Sequence, residues 1–237
     1  MSESPLELSR ARSAEDDKSE LLHEKATIDY RYEIVRKGIH LCSLTIPIVY
    51  YFVSKQQALF LLVPVAAAFF VVDVVRYYHA PTADLFYRWF GWLLRKHESD
   101  TKAKRFTGAT NILLSAIVCV LLFPKIITVN AFAVLIISDS TAALFGRRFG
   151  RRKFLQKSLA GAVAFFCSAV IVVLVTPKIE GIALEYLIGI IGAAVGAVIE
   201  SASTKFDDNI SIPLGIGLVT WALYQWLLPA VNIYGIG

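Results

Sequence analysis

Residues 125–153 read KIITVNAFAVLIISDSTAALFGRRFGRRK: an apolar run from 126 to 146 that holds one acid, Asp139, and ends on a Gly-flanked basic loop. Such a run matches the ~20 residues a helix needs to cross the hydrocarbon core of a bilayer. Similar runs lie at 38–53, 57–75, 108–123, 160–176, 182–200 and 211–231, separated by short polar breaks. Together they predict an all-α, polytopic integral membrane protein with about seven transmembrane helices. With 56% hydrophobic and only 18% charged residues in 237, the chain is too apolar for a soluble domain of its size. Its mean hydropathy of +0.59 agrees.

The basic residues set an orientation. Of 24 Lys and Arg, all but Lys55, Lys125 and Lys178 fall in the N-terminal tail through Lys37, in 76–107, in 147–157, or at Lys205. These are alternate connections, and basic loops are retained on the cytoplasmic side. Seven spans with a cytoplasmic N-terminus and Gly237 opposite are therefore expected. The net charge of +5 has the same origin, so nucleic acid is set aside as a partner. Residues 1–28 are polar and of mixed charge, and are expected to be a disordered cytoplasmic tail ahead of a single domain, 29–237. No small-residue cleavage site follows the first apolar block, so no signal peptide is expected. Pro47 should kink the first span or be accommodated by neighbours.

Between the second and third spans, the stretch from Asp84 to Lys96 puts Asp84, Arg88, Gly91 and Arg95 on one stripe amid Leu85, Phe86, Trp89, Phe90, Trp92 and Leu93. It reads as one interfacial amphipathic helix. Gly189, Gly192 and Gly196 indicate close helix packing. Cys42, Cys119 and Cys167 show no metal-ligand spacing and read as packing residues.

Four polar groups cluster on the expected cytoplasmic side. Glu33, Arg36, Lys37 and His40 share a helix face, as either a juxtamembrane ion pair touching lipid headgroups or part of a site. Asp139, within Ser138–Thr141, is an acid near the end of an apolar helix, where a carboxylate needs a metal or cationic partner. The loop after it carries Gly146, Arg147, Gly150, Lys157 and Ser158, donors suited to phosphate but without P-loop order. Glu200, Asp207, Asp208 and Asn209 form an oxygen-rich segment suited to Mg²⁺ or to an ordinary turn. Asn111 enters an apolar helix behind Thr107, Gly108 and Thr110, for helix packing or for the site.

In these residues the chain resembles the dolichol kinase, phytol kinase and CTP-dependent diacylglycerol kinase family of membrane lipid kinases, which is related to phosphatidate cytidylyltransferase. The resemblance runs over most of the chain after Tyr30. It rests on Glu33, Arg36, Lys37 and His40; on Asp139, Ala142, Gly146, Arg147 and Gly150; on Lys157, Ser158 and Gly161; and on Glu200, Asp208 and Asn209 ahead of Pro213.

The resemblance implies transfer of the γ-phosphoryl group of CTP to the hydroxyl of a lipid alcohol: a polyprenol, dolichol or phytol type, or diacylglycerol. It implies Mg²⁺ held by Asp139 and Asp208 with Glu200 or Asp207, and phosphates neutralised by Arg147 and Lys157 with help from Arg36 and Lys37. His40 or Glu33 would orient or deprotonate the hydroxyl, and Asn111, Gly146, Gly150, Ser158 and Asn209 would line the nucleotide. The long Gly, His and Asp-rich signature of the cytidylyltransferase branch is missing, and Ala160 stands where some members carry an acid. A cytidylyltransferase is one alternative. A transporter or scramblase using Asp139 and Glu200 is a second, though no inverted repeat is found.

Overall fold

The computed structural model describes residues 30–91, 106–203 and 207–235. Within them the chain is mostly helical: α1 (30–42), α2 (Thr45–Phe52), α3 (Lys55–Tyr78), α4 (Ala80–Phe90), α5 (Gly108–Leu122), α6 (Lys125–Phe149), a hairpin of β1 (Lys153–Phe154) and β2 (Lys157–Ser158), α7 (Leu159–Val175), α8 (Ala183–Ala202) and α9 (Asp208–Leu227). The tail 1–28 lies outside the described residues.

Local chemistry explains the boundaries. A capping box opens α3: the Gln57 amide donates to Ser54 Oγ and the Ser54 amide to Gln57 Oε1. Side-chain oxygens of Thr107, Ser158 and Asp207 cap α5, α7 and α9. At the first predicted span the helix is interrupted at Ser43–Leu44. Pro47 has no N–H to give the Ser43 carbonyl, which accepts instead from the Ile46 amide at 2.9 Å. So the helix expected from Tyr30 through the span 38–53 is two helices, α1 and α2.

Among the described residues four helices are long and apolar enough to cross a membrane: α3, α6, α8 and α9. The runs at 108–123 and 160–176 form the shorter apolar helices α5 and α7. The helical expectation holds for most of the described residues, and the short β1–β2 hairpin is an addition to it. Its two-residue turn exists because Leu155 adopts φ 52°, and Lys153 pairs with Ser158, Phe154 with Lys157. The expected interfacial helix begins earlier than Asp84, at Ala80 behind Pro81. Its portion beyond Gly91 lies outside the described residues.

Helix α6 is the central element, packed against α2, α5, α7, α8 and α9. Its apolar window is 78% buried, against 17% for α3, so α6 is a core helix and α3 a peripheral one with most of its surface left for lipid. The glycine stripe of α8 packs as expected: a Cβ on Gly192 would lie 2.7 Å from Thr220 Cγ2, and one on Gly189 2.5 Å from Val173 Cγ1. These contacts seat α8 between α9 and α7. Cys119 is buried as expected, while Cys42 and Cys167 face outward and pack nothing in the core.

The three lysines outside the basic connections are occupied at the end of the bundle opposite Asp139. Lys55 Nζ donates to the Leu121 carbonyl at 2.9 Å and Lys178 Nζ to the Thr176 carbonyl at 2.7 Å, at the C-termini of α5 and α7. Lys125 lies over the Tyr50 ring. Cations favour helix C-termini, so the first two complement the negative ends of two helices. Glu185 does the reverse for the loop before α8: its carboxylate accepts from the amides of residues 179–182 and from the Tyr224 hydroxyl.

Candidate active site

Three buried clusters occupy the other end. The first is on α1, where spacings of four and seven bring Glu33, Lys37 and His40 to one face against α6. Lys37 forms an ion pair with Asp139, whose side chain is 5% exposed. His40 Nε2 lies 3.6 Å from the same carboxylate oxygen. Glu33 takes both Arg36 and Arg147, the latter at 3.0 Å. Asp139 and Arg147 are eight residues apart on α6, about 12 Å along its axis. One face of α1 therefore ties down two turns of α6 and fixes the acid, the lysine and the imidazole as a unit.

The second cluster joins the hairpin to α8 and α9. Lys157 Nζ bridges Glu200 Oε1 at 2.8 Å and Asp208 Oδ2 at 2.9 Å. Burial lowers the lysine pKa, but the two carboxylates outweigh it and hold it above the ordinary 10.5. Asp208 Oδ1 is buried with no hydrogen-bond partner among the described residues. The hairpin is set in place by the Gln156 amide, which donates to the Ser201 carbonyl at 3.0 Å.

Close packing brings the clusters together. Ser158 Oγ donates to the Gly146 carbonyl at 3.4 Å and accepts from the Gly161 amide at 3.1 Å. A Cβ on Gly146 would lie 2.9 Å from Ser158 Oγ, and one on Gly161 3.2 Å from the Ala142 carbonyl. Gly146, Gly150 and Gly161 thus let the start of α7 press onto the end of α6. This gives the glycines a packing role that holds whatever the loop binds. Asp207 caps α9 through its bond from the Asn209 amide at 2.9 Å. Asn209 Nδ2 reaches the Gly108 carbonyl at 3.5 Å, which brings the start of α9 to the start of α5, where Asn111 is buried. The N-termini of α5, α7 and α9 therefore lie at the same end as Asp139, Glu200 and Asp208, and helix N-termini favour anions.

The third cluster is absent from the sequence expectations. Asp73 of α3 accepts from the Thr107 amide at 2.8 Å, Thr107 Oγ1 at 2.9 Å and Thr110 Oγ1 at 2.6 Å. Its other oxygen lies 3.2 Å from Arg76 Nε. Arg76 in turn stacks on Tyr77 and on Phe86 of α4. Asp73 fixes the first turn of α5, one turn from Asn111. An acid followed by an Arg three residues on, inside the apolar run FFVVDVVRYY, was the signal available for it.

Among the described residues no three His, Cys, Asp or Glu side chains converge as a metal site. Of the four acids expected to hold Mg²⁺, Asp139 is occupied by Lys37, Glu200 and Asp208 share Lys157, and Asp207 serves as a cap.

The chain is similar to a protein of Rickettsia prowazekii, "Uncharacterized protein RP860", with 30% identity over 204 residues covering 85% of this chain and 99% of that protein. It belongs to the same family as that protein. It is also similar, more distantly, to the "CTP-dependent diacylglycerol kinase 1" of Saccharomyces cerevisiae, 26% identical over 210 residues covering 78% of this chain and 71% of the kinase. No protein-family model matches the chain, and no solved structure does. The kinase likeness supports a lipid kinase family at a distance, and the apolar helices fit a multi-pass membrane protein.

Proposed function

We propose that the chain is a CTP-dependent lipid kinase of seven membrane crossings, with its N-terminus and its site on the cytoplasmic side. The observation that carries this reading is the gathering of Asp139, Glu200 and Asp208, buried acids from three apolar helices, at the end where three helix N-termini lie. A carboxylate buried in an apolar helix is costly and marks a candidate site, and these three lie together with the helix N-termini, whereas Asp73 and Glu185 serve local capping and pairing. Acids, bases and helix N-termini in one place suit a nucleotide triphosphate, whose transfer chemistry is positioning and charge neutralisation. The likeness to a CTP-dependent kinase supports CTP as donor. The acceptor is the hydroxyl of a lipid alcohol, from the polyprenol, dolichol or phytol type to diacylglycerol.

The residues fit Mg²⁺. Asp208 Oδ1 is a buried hard oxygen without a partner among the described residues, and Glu200 and Asp208 already grip a cation, Lys157. Mg²⁺ takes one or two carboxylates and completes its shell with water and phosphates, so a third converging acid is not required. Asp208 with Glu200 would hold it. Bound there, the ion would neutralise phosphate charge.

The chain's own groups do the rest. Arg147, with a side chain 41% exposed, and Lys157 reach the phosphates, while Glu33, held by two arginines, fixes the orientation of Arg147. Because Glu33 is committed twice, His40 is the better acceptor for the proton, and Asp139 beside it stabilises the imidazolium. The lipid hydroxyl oxygen bonds to the γ-phosphorus, the bond from that phosphorus to the bridging oxygen breaks, CDP leaves, and the hydroxyl proton passes to His40.

Thermal unfolding of the detergent-solubilised chain tests the reading. CTP with Mg²⁺ should raise the midpoint, by ~2.7 kcal/mol of stabilisation at a hundred times Kd. A flat response to CTP and to every other nucleotide contradicts it.

A further inference from the structure

The six bases of residues 147–157 divide into two sets. Arg147 and Lys157 pair with carboxylates, Arg147 with Glu33 and Lys157 with Glu200 and Asp208. Arg148, Arg151, Arg152 and Lys153 are exposed, and among the described residues no carboxylate pairs with any of them. They are interleaved with Phe149, Phe154 and Leu155, which are 56%, 37% and 53% exposed. Leu155 also holds φ 52°, a conformation in which Gly or Asn is favoured and a bulky L residue is not. A turn alone would be served better by Gly, so the exposed Leu has a use for its side chain.

We propose that this hairpin docks on anionic phospholipid, with Phe149, Phe154 and Leu155 entering the headgroup layer and the four outward bases binding its phosphates. Position favours a lipid neighbour: only nine residues separate the end of apolar α6 from the start of apolar α7, so if both helices cross the bilayer the hairpin between them lies at headgroup depth. Basic residues mixed with exposed apolar ones at that depth suit an anionic membrane surface. The inference is independent of the kinase reading, because the lipid dependence it predicts is read without nucleotide or lipid alcohol.

The full chain, with Cys42→Ala, Cys167→Ala and Leu155→Cys, is labelled at position 155 with an environment-sensitive fluorophore. It is then reconstituted in phosphatidylcholine vesicles with or without phosphatidylglycerol. Each base near an anionic surface adds about a five-fold factor in local affinity. Quenching by neutral acrylamide should therefore fall at least about two-fold with phosphatidylglycerol, return in high salt, and lose its lipid dependence when Arg148, Arg151, Arg152 and Lys153 are changed to Gln. Hydrogen exchange over 151–158 in the unlabelled chain reads the same protection if labelling disturbs folding. Equal quenching and exchange in both vesicle types, or a difference that survives the Gln substitutions, overturns the proposal. So does a Gln variant that loses CTP-induced stabilisation while keeping the same depth at position 155, since the bases would then serve a nucleotide.

Discussion

Removing either partner of the Lys37–Asp139 pair should destabilise the protein more than removing both. Lys37 is 3% exposed and Asp139 4%, so Asp139→Asn leaves a buried ammonium without its carboxylate, and Lys37→Met leaves a buried carboxylate without its ammonium. Breaking a buried pair from one side costs about 3–5 kcal/mol. The double variant buries neither charge, so its loss should be smaller than either single loss and fall short of their sum by at least about 3 kcal/mol. His40, 3.6 Å from the same oxygen, relieves part of the loss in Lys37→Met if it takes a proton, so Asp139→Asn should be the worse single change. Denaturant unfolding of the solubilised protein gives the four stabilities, and turnover per folded molecule gives the second readout. All three variants should lose activity by about 10²-fold or more, the scale of a removed electrostatic group at a reacting centre. Additivity within about 0.5 kcal/mol would refute the pairing. Near wild-type turnover in folded Asp139→Asn would remove Asp139 from the site.

Two other buried acids separate structure from chemistry. Asp73→Asn should cost about 3–5 kcal/mol by removing the carboxylate of the buried Asp73–Arg76 pair and should raise hydrogen exchange at Thr107 and Thr110, the first turn of α5. Glu185→Gln should cost about 1–3 kcal/mol at the opposite end yet leave turnover per folded molecule unchanged. The Lys157 cluster predicts an alkaline effect. Its folded pKa stands above the ordinary 10.5, so its contribution is complete below that value and is lost as pH rises through the folded pKa. The unfolding midpoint of wild type should fall toward that of Lys157→Gln only in that alkaline range.

The sequence pattern revealed the helical runs because a bilayer demands uninterrupted apolar length, and α3, α6, α8 and α9 meet that demand. It marked Asp139, Glu200 and Asp208 because acids stand out in apolar surroundings. It did not reveal the partners: Lys37 meets Asp139 across 102 residues, and Lys157 joins Glu200 and Asp208 across 43 and 51. Such pairings depend on which helix faces meet. The hairpin was illegible because its strands are two residues each and its turn uses Leu155 where Gly or Asn is usual. The loop glycines suggested phosphate binding, but their close contacts with Ser158 and the Ala142 carbonyl are set by helix packing, which composition does not encode. Asp73 carries a local signal, an acid three residues before Arg76 in an apolar run, but its role at the start of a helix 34 residues later depends on which helices meet.

The central claim is tested most directly by following which phosphorus of CTP reaches lipid. Purified chain with Mg²⁺ is offered CTP labelled at either the α- or the γ-phosphorus, together with diacylglycerol, a polyprenol, phytol and phosphatidate in turn. The account predicts γ-label, and no α-label, in the organic-soluble product of one of the alcohols, with Asp139→Asn abolishing it. Label from the α-phosphorus in a product of phosphatidate would identify a cytidylyltransferase and contradict the account, as would the absence of label from every lipid.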